Sequence, residues 1–159
     1  MEVSVFCVTY NHERYIRQCL DSIISQKTNF DFELIVHDDA STDGTSAIIK
    51  EYSERYPDKI KSISQKDNQY SKGMIDIPSC FMLSEAKGKY IALCEGDDYW
   101  CDQEKLQRQY EAMETNPECG MAVHRSYIAK ESGEITAKVI PPCKYWGGYM
   151  ILDGQSHNT

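Results

Sequence analysis

Val3-Ser4-Val5-Phe6-Cys7-Val8-Thr9-Tyr10-Asn11-His12 opens the chain with a short apolar run that gives way abruptly to a polar turn. A run rich in Val and Phe, too short for a helix, reads as a buried strand. Beyond the turn, Tyr15, Ile16, Cys19, Leu20, Ile23 and Ile24 recur at steps of one and three, an apolar stripe at the helical period. Phe32-Glu33-Leu34-Ile35-Val36-His37 is a second strand, and it ends in Asp38-Asp39. Ser41-Thr42-Asp43-Gly44-Thr45 then supplies N-cap candidates. They introduce a helix with Ile48, Tyr52 and Tyr56 on one face, stopped by Pro57.

Ile60–Ser64 reads as a short strand. The stretch from Gly73 to Ala86 reads as a helix in spite of Pro78, with Gly88 as its C-terminal stop. Tyr90-Ile91-Ala92-Leu93-Cys94 is a third buried strand, and Glu95-Gly96-Asp97-Asp98 follows it directly. A helix carrying Leu106, Tyr110 and Met113 closes at Asn116-Pro117. Met121-Ala122-Val123 with Tyr127-Ile128 reads as a further strand, and Gly133 as a turn into Ile135–Ile140. From Pro141 the pattern dissolves into Pro, Gly and aromatics.

Alternation of this kind predicts an α/β fold, Rossmann-like, with a mostly parallel central sheet and helices on both faces. Ligands of such sheets bind outside the carboxyl ends of the strands, near the point where strand order reverses. Thr9-Tyr10-Asn11, Asp38-Asp39 and Glu95-Gly96-Asp97-Asp98 each follow an apolar strand, so three segments carry polar groups to the same sheet edge.

Composition narrows the chemistry. A length of 159 residues fits one domain, and 41% hydrophobic with 26% charged residues argues against disorder. The net charge of −8, with no run of Lys or Arg, argues against nucleic acid and anionic lipid as direct partners. The seven cysteines form no CxxC, and several sit inside apolar runs, which predicts reduced, structural thiols in a cytoplasmic setting. No apolar stretch approaches a membrane span and no leader pattern precedes the first strand, so the domain is expected to be soluble and not secreted.

Carboxylates clustered at a strand edge repel one another unless a cation or hydrogen-bond donors offset them. Glu95 and Asp97 flank Gly96, and oxygen ligands with open positions suit Mg²⁺ or Mn²⁺ bound together with substrate phosphates. The same acids also fit as caps of the helix that begins near Asp102. Asp38-Asp39 fits either turn chemistry or a carboxylate accepting from a ribose hydroxyl or base N–H. Tyr10 offers a flat face for a base, or is an ordinary half-buried tyrosine. The histidines carry no metal-ligand spacing and are assigned no role. No GxSxG, GxGxxG or GxxxxGK[ST] motif occurs.

Val3-Ser4-Val5 through Thr9-Tyr10-Asn11, Asp38 through Thr45, and Gly88-Lys89-Tyr90-Ile91 through Glu95-Gly96-Asp97-Asp98-Tyr99-Trp100 together resemble family 2 glycosyltransferases of the GT-A fold. The resemblance covers residues 2–120. It implies inverting transfer of a sugar from a nucleotide-diphosphate donor, UDP-linked, to a saccharide or lipid-linked saccharide, with Mg²⁺ or Mn²⁺ on the diphosphate. By position it implies a donor nucleotide site of Thr9, Tyr10, Asn11, Asp39, Glu95 and Gly96. The resemblance further implies Asp97 and Glu95 as metal ligands, in a variant of the family's DxD motif with Glu first, Asp97 facing the metal and Glu95 nearer the ribose and diphosphate. Lys72 is a further candidate for the diphosphate.

Residues 1–120 are then the donor-binding subdomain and 121–159 the start of an acceptor-side region, truncated before the general base the reaction needs. Glu131, Glu134 and Asp153 read as solvated surface. Such a fragment would bind donor without efficient transfer, and its association with the inner face of a membrane would be peripheral. Three other readings compete with this one. They are a non-catalytic nucleotide- and metal-binding module, a nucleotidyltransferase, whose basic Gly-rich loop is missing, and a Mg²⁺-binding receiver-like signalling domain, whose acidic pair should follow the first strand.

Overall fold

The structure, a computed structural model, describes residues 1–124, 126–130, 134–140, 145–146 and 149–152. The chain divides into two compact units, Met1–Gln103 and Glu104–Thr159.

In the first unit the strands β1 (Val3–Thr9), β2 (Phe32–Asp38), β3 (Ile60–Ser64) and β4 (Tyr90–Leu93) form one sheet. Their order is β3-β2-β1-β4, and each neighbouring pair is parallel. β2 is buried at every position, as a central strand covered on both faces must be. Helix α1 (Ile16–Ile24) buries the stripe Ile16, Cys19, Leu20 and Ile23. Each large aliphatic side chain so removed from water contributes about 1.5–3 kcal/mol. Helix α2 (Thr45–Arg55) buries Ile48, Ile49 and Tyr52. The Tyr52 hydroxyl donates to Asp21 at 2.7 Å and so ties α2 to α1.

The strand register sorts side chains to two faces. Ser4 lies beside Glu33, Phe6 beside Ile35 and Val8 beside His37. On that face Phe6, Ile35 and Met82 form a core, with Val8, Ile63 and Phe81 packed against it. On the other face the Cys7 thiol meets Cys19 of α1 at 3.8 Å, and Cys19 meets Cys94 at 3.8 Å. The hydrogen bond with Cys7 pushes the Cys19 thiol far above its usual range, so it stays protonated and acts as a packing group. Cys7, Cys19, Cys94 and Cys119 are buried free thiols, Cys80 and Cys101 are exposed ones, and Cys143 lies outside the described residues.

The segment covering the Phe6 face departs from expectation. The stretch from Gly73 to Ala86 is not one helix. A 3-10 turn at Tyr70–Lys72 closes on Gly73 at φ 90°, and a π-helical turn, Pro78–Met82, then passes into a second 3-10 turn, Leu83–Glu85. Pro78 lacks the N–H that a continuous helix would need there. Gly88 is likewise not a helix stop. A Cβ at Gly88 would lie 2.5 Å from the Val3 carbonyl carbon and 2.8 Å from Val3 Cα, so glycine is required for the backbone to pass β1. β4 is one of the two edge strands, and Ile91 and Leu93 are 40% and 63% exposed where burial was expected, because the covering segment packs on Phe6 and Ile35.

In the second unit α3 (Lys105–Thr115) ends at Asn116, whose side-chain amide donates to the Ala112 carbonyl at 2.8 Å. β5 (Met121–His124), β6 (Ser126–Ala129), β7 (Ile135–Ile140), β8 (Tyr145–Trp146) and β9 (Tyr149–Leu152) follow. β6 and β7 pair antiparallel, β5 pairs parallel with β9, and β8 pairs antiparallel with β9. Strands therefore continue beyond Pro141, where the pattern was expected to dissolve; β8 and β9 are too short to display an alternation. The turn expected at Gly133 lies outside the described residues. Among the described residues no helix is long and apolar enough to cross a membrane.

Candidate functional site

Strand order builds the site. The chain runs from β1 outward through β2 to β3, then crosses back to β4 on the opposite side of β1. The loops leaving β1 and β4 thus emerge side by side at the carboxyl ends of adjacent strands, at the switch-point crevice where ligands of such sheets bind. Thr9-Tyr10-Asn11-His12 and Glu95-Gly96-Asp97 are those two loops. The same order distinguishes the chain from a receiver-like domain, whose first strand lies between its second and third.

The loop after β1 is held by the loop after β2. Asn11 takes the left-handed conformation, φ 55°, which asparagine tolerates better than most residues. Its N–H donates to Ser41 Oγ at 2.9 Å, and its Oδ1 accepts from the Thr42 N–H at 2.7 Å. Next to it, the Glu13 N–H donates to Asp43 at 3.1 Å and the Gly44 N–H donates to Glu13 at 2.9 Å. Asn11 thus has its polar groups engaged in the loop, while Tyr10 stands 42% exposed on the rim.

Asp38 and Asp39, adjacent in sequence, serve different neighbours. Asp38 accepts from the Ser41 N–H at 3.0 Å, from Ser41 Oγ at 2.5 Å and from the Ser46 hydroxyl, so it carries the turn chemistry at the start of α2. Asp39 donates its own N–H to the Thr9 carbonyl at 3.0 Å. Its carboxylate accepts the N–H groups of Gln69 and Tyr70 at 2.8 and 3.0 Å. A carboxylate offers about four acceptor positions, so capacity remains for a further donor. Under this loop His37 is buried, and burial pushes its pKa down against the opposing pull of Asp39 and Asp38. Lys72, a candidate for the diphosphate, is paired with Asp67 at 2.9 Å.

On the β4 side, the Gly96 N–H donates to the Val8 carbonyl at 2.9 Å and draws the acidic loop against β1. A Cβ at Gly96 would lie 2.6 Å from both Thr9 Cβ and Thr9 Oγ1, and 2.9 Å from His12 Nδ1. Thr9 Oγ1 and His12 Nδ1 are buried and have no hydrogen-bond partner among the described residues. Glu95 and Asp97 are exposed, and Asp97 Oδ2 stands 3.9 Å from His12 Nε2. Among the described residues no three His, Cys, Asp or Glu side chains are gathered as a metal cluster. Exposed carboxylates such as Glu95 and Asp97 are the donor type that Mg²⁺ or Mn²⁺ accepts beside phosphates and waters.

The structure therefore brings together Thr9, His12, Gly96 and Asp97, with exposed Tyr10 and Glu95 in the same two loops and Asp39 in the adjoining one. Sequence reasoning passed over His12. Its approach to Asp97 follows from β1 lying beside β4, and no spacing along the chain signals it.

Strand order and crevice define the class, a Rossmann-like α/β domain with its ligand edge at the carboxyl ends of a parallel sheet. The chain matches glycosyl transferase family 2 over residues 4–149 and belongs to that family. An uncharacterized protein of Mycobacterium tuberculosis is 41% identical over 133 residues, 82% of this chain and 37% of the relative. The crystal structure of S. aureus TarS in complex with UDP-GlcNAc has a TM-score of 0.65 at 28% identity, covering 79% of this chain and 35% of that one. Mannosyltransferase PcManGT from Pyrobaculum calidifontis, in complex with GDP-Man and Mn²⁺, has a TM-score of 0.64 at 22% identity over 81% and 36% of the two chains, a likeness of fold alone. The fold is the GT-A fold, as the motifs implied. This chain spans well under half the length of each of the three.

Proposed function

We propose that this chain binds a nucleotide-diphosphate sugar, with UDP as the nucleotide, in the crevice between the loops after β1 and β4. The reaction we assign to the site is inverting transfer of the sugar to a hydroxyl of a saccharide or lipid-linked saccharide. The observation that carries this reading is the passage of Gly96 against Thr9 and His12, which leaves the carboxylates of Glu95 and Asp97 exposed at the switch point of a family 2 domain.

Tyr10 lies on the rim where a base can stack, and Asp39 has acceptor capacity for a base or ribose donor. Thr9, Asn11 and Gly96 shape the floor between them. Asp97, assisted by Glu95, would hold Mg²⁺ or Mn²⁺. Such an ion supplies positive charge that offsets the departing diphosphate. In the transfer itself the bond between acceptor oxygen and anomeric carbon forms as the bond to phosphate oxygen breaks, and the acceptor proton passes to a general base. We assign no residue to that base. Glu134 is exposed and paired with Lys130 at 2.8 Å, while Glu131 and Asp153 lie outside the described residues. Donor binding is therefore the activity proposed for the chain by itself. The free thiols fit a reducing, cytoplasmic setting, where contact with the inner face of a membrane would come through the acceptor.

Calorimetric titration of UDP with and without Mn²⁺, on the unmodified chain and on Asp97→Ala, tests the reading. The expected result is Mn²⁺-dependent binding that Asp97→Ala abolishes. Binding that ignores both the metal and the substitution would overturn the assignment of the acidic loop.

A further inference from the structure

We propose that His12 supplies a nitrogen ligand to the divalent cation, so that the ion is gripped by Asp97 from the β4 loop and by the imidazole from the β1 loop. The inference rests on the metal-dependent donor reading above and adds a residue that no sequence motif marks.

His12 Nε2 and Asp97 Oδ2 stand 3.9 Å apart, beyond hydrogen-bonding distance, so neither atom satisfies the other. Two ligand atoms that each lie about 2.0–2.2 Å from a shared ion are separated by roughly 3 Å at a right angle and by a little over 4 Å when opposed. The observed gap falls inside that interval. It is also accessible, since the His12 and Asp97 side chains are 24% and 48% exposed.

The ring is held in place from behind. The His12 carbonyl accepts the N–H groups of Tyr15 and Ile16, both at 2.9 Å, which fixes the residue at the start of α1. Gly96 closes against Nδ1, and a side chain at 96 would fill that space. Thr9, 1% exposed, carries an unpartnered hydroxyl beside the same glycine. The acidic loop thus crosses β1 on bare backbone, and the crossing is what carries Asp97 to the imidazole. A histidine serving only the core would turn Nε2 inward to a partner; this one faces a carboxylate across an ion-sized gap.

Mn²⁺ also binds mainly oxygen, but as a first-row transition ion it tolerates an imidazole nitrogen better than Mg²⁺, which demands oxygen in near-ideal octahedral geometry. The test uses the whole chain, grown with ¹⁵N-labelled histidine, in the presence of Mn²⁺ and UDP, and pulsed electron paramagnetic resonance reads any nitrogen bound to the metal. The expected result is a ¹⁵N coupling in the unmodified chain that His12→Gln removes. A coupling in the unmodified chain reports a histidine ligand without any variant, and circular dichroism of His12→Gln confirms that its loss of coupling is not a loss of fold. His12→Gln should also weaken Mn²⁺-supported UDP binding by about tenfold, in the range seen when a metal site loses a supporting group. Mg²⁺-supported binding should change by no more than about twofold, because that ion favours oxygen.

A missing coupling, with Asp97→Ala still abolishing metal-dependent UDP binding, would overturn His12 ligation and leave the donor reading intact. So would a coupling that persists in His12→Gln, or equal losses with Mn²⁺ and Mg²⁺, which would mark damage to the loop. If UDP binds with no metal dependence at all, both the inference and the reading beneath it fall.

Discussion

Replacing Gly96 with alanine is the sharpest perturbation of the crevice, because the cost follows from a few distances. The added Cβ would lie 2.6 Å from Thr9 Cβ and Oγ1, and ordinary contact begins at 3.4 Å, so loop or strand must yield by about 0.8 Å. Thr9 cannot swing away, being 1% exposed at the end of β1. Retreat of the loop would instead lengthen the 2.9 Å bond from the Gly96 N–H to the Val8 carbonyl. Overpacking of this kind costs about 1–3 kcal/mol, or roughly 2–4 °C of melting temperature per kcal/mol at this chain length. The larger effect should be functional, since displacements near 1 Å at a positioned group cost on the order of a hundredfold. We expect Gly96→Ala to melt a few degrees lower by circular dichroism and to lose Mn²⁺-dependent UDP binding by at least about tenfold in calorimetry. Thr9→Ala in the same chain should not restore binding, because Thr9 Cβ remains in the way. A Gly96→Ala chain with unchanged melting temperature and unchanged UDP affinity would refute the claim that this crossing shapes the site.

Gly88→Ala should destabilise more than Gly96→Ala, because the new Cβ meets the backbone of Val3, which no rotamer change can relieve; urea denaturation of the two variants compares them. Asp39→Ala strips acceptors from the N–H groups of Gln69 and Tyr70, and two such part-buried hydrogen bonds contribute about 0.5–1.5 kcal/mol each. It should lower both the urea midpoint and UDP affinity, and a loss of affinity at unchanged stability would show that those two bonds do not hold the loop. His37 is buried with its pKa below the ordinary 6.5, so the unfolded chain takes up a proton that the folded chain resists. Its contribution to stability is therefore complete above about pH 6.5 and is lost as pH falls below it. His37→Gln should flatten that part of the melting-temperature profile between pH 7.5 and 5.5, and an equally steep profile in the variant would assign the slope to other groups.

The fold was legible wherever a run was long or strictly periodic. The stripe from Ile16 to Ile23 and the run from Phe32 to His37 answer to side-chain burial, which periodicity reports directly. The stretch from Gly73 to Ala86 was not, because its turns are set by Pro78, by Gly73 at positive φ and by the Phe6–Ile35–Met82 core, none of which is periodic. Gly88 looked like a helix stop because sequence gives no sign that the backbone there passes too close to Val3 to leave room for a Cβ. Ile91 and Leu93 looked like core because apolarity alone does not distinguish an edge strand from a central one. At the site, the acids were legible as residue types placed after strands. Which of them meet was not, because that depends on strand order.

The adjacent carboxylates of Asp38 and Asp39 show why the distinction matters. Consecutive residues at the end of a strand project to opposite faces of the sheet. Asp38, the last residue of β2, points to the α2 side and is consumed by Ser41 and Ser46. Asp39 points the other way, toward the segment that follows β3, and draws Gln69 and Tyr70 in beside the crevice. The chain turns between those two tasks through Ala40 at φ 65°, a conformation that a non-glycine residue adopts only when its surroundings impose it. Here they do, since Asp39 is tied to Thr9, Ser41 to Asp38 and Asn11, and Thr42 to Asn11. The first aspartate thus carries the turn chemistry, and the second ties the segment after β3 to the end of β1. The loop that separates them also fixes Tyr10 and His12 opposite the acidic loop of β4.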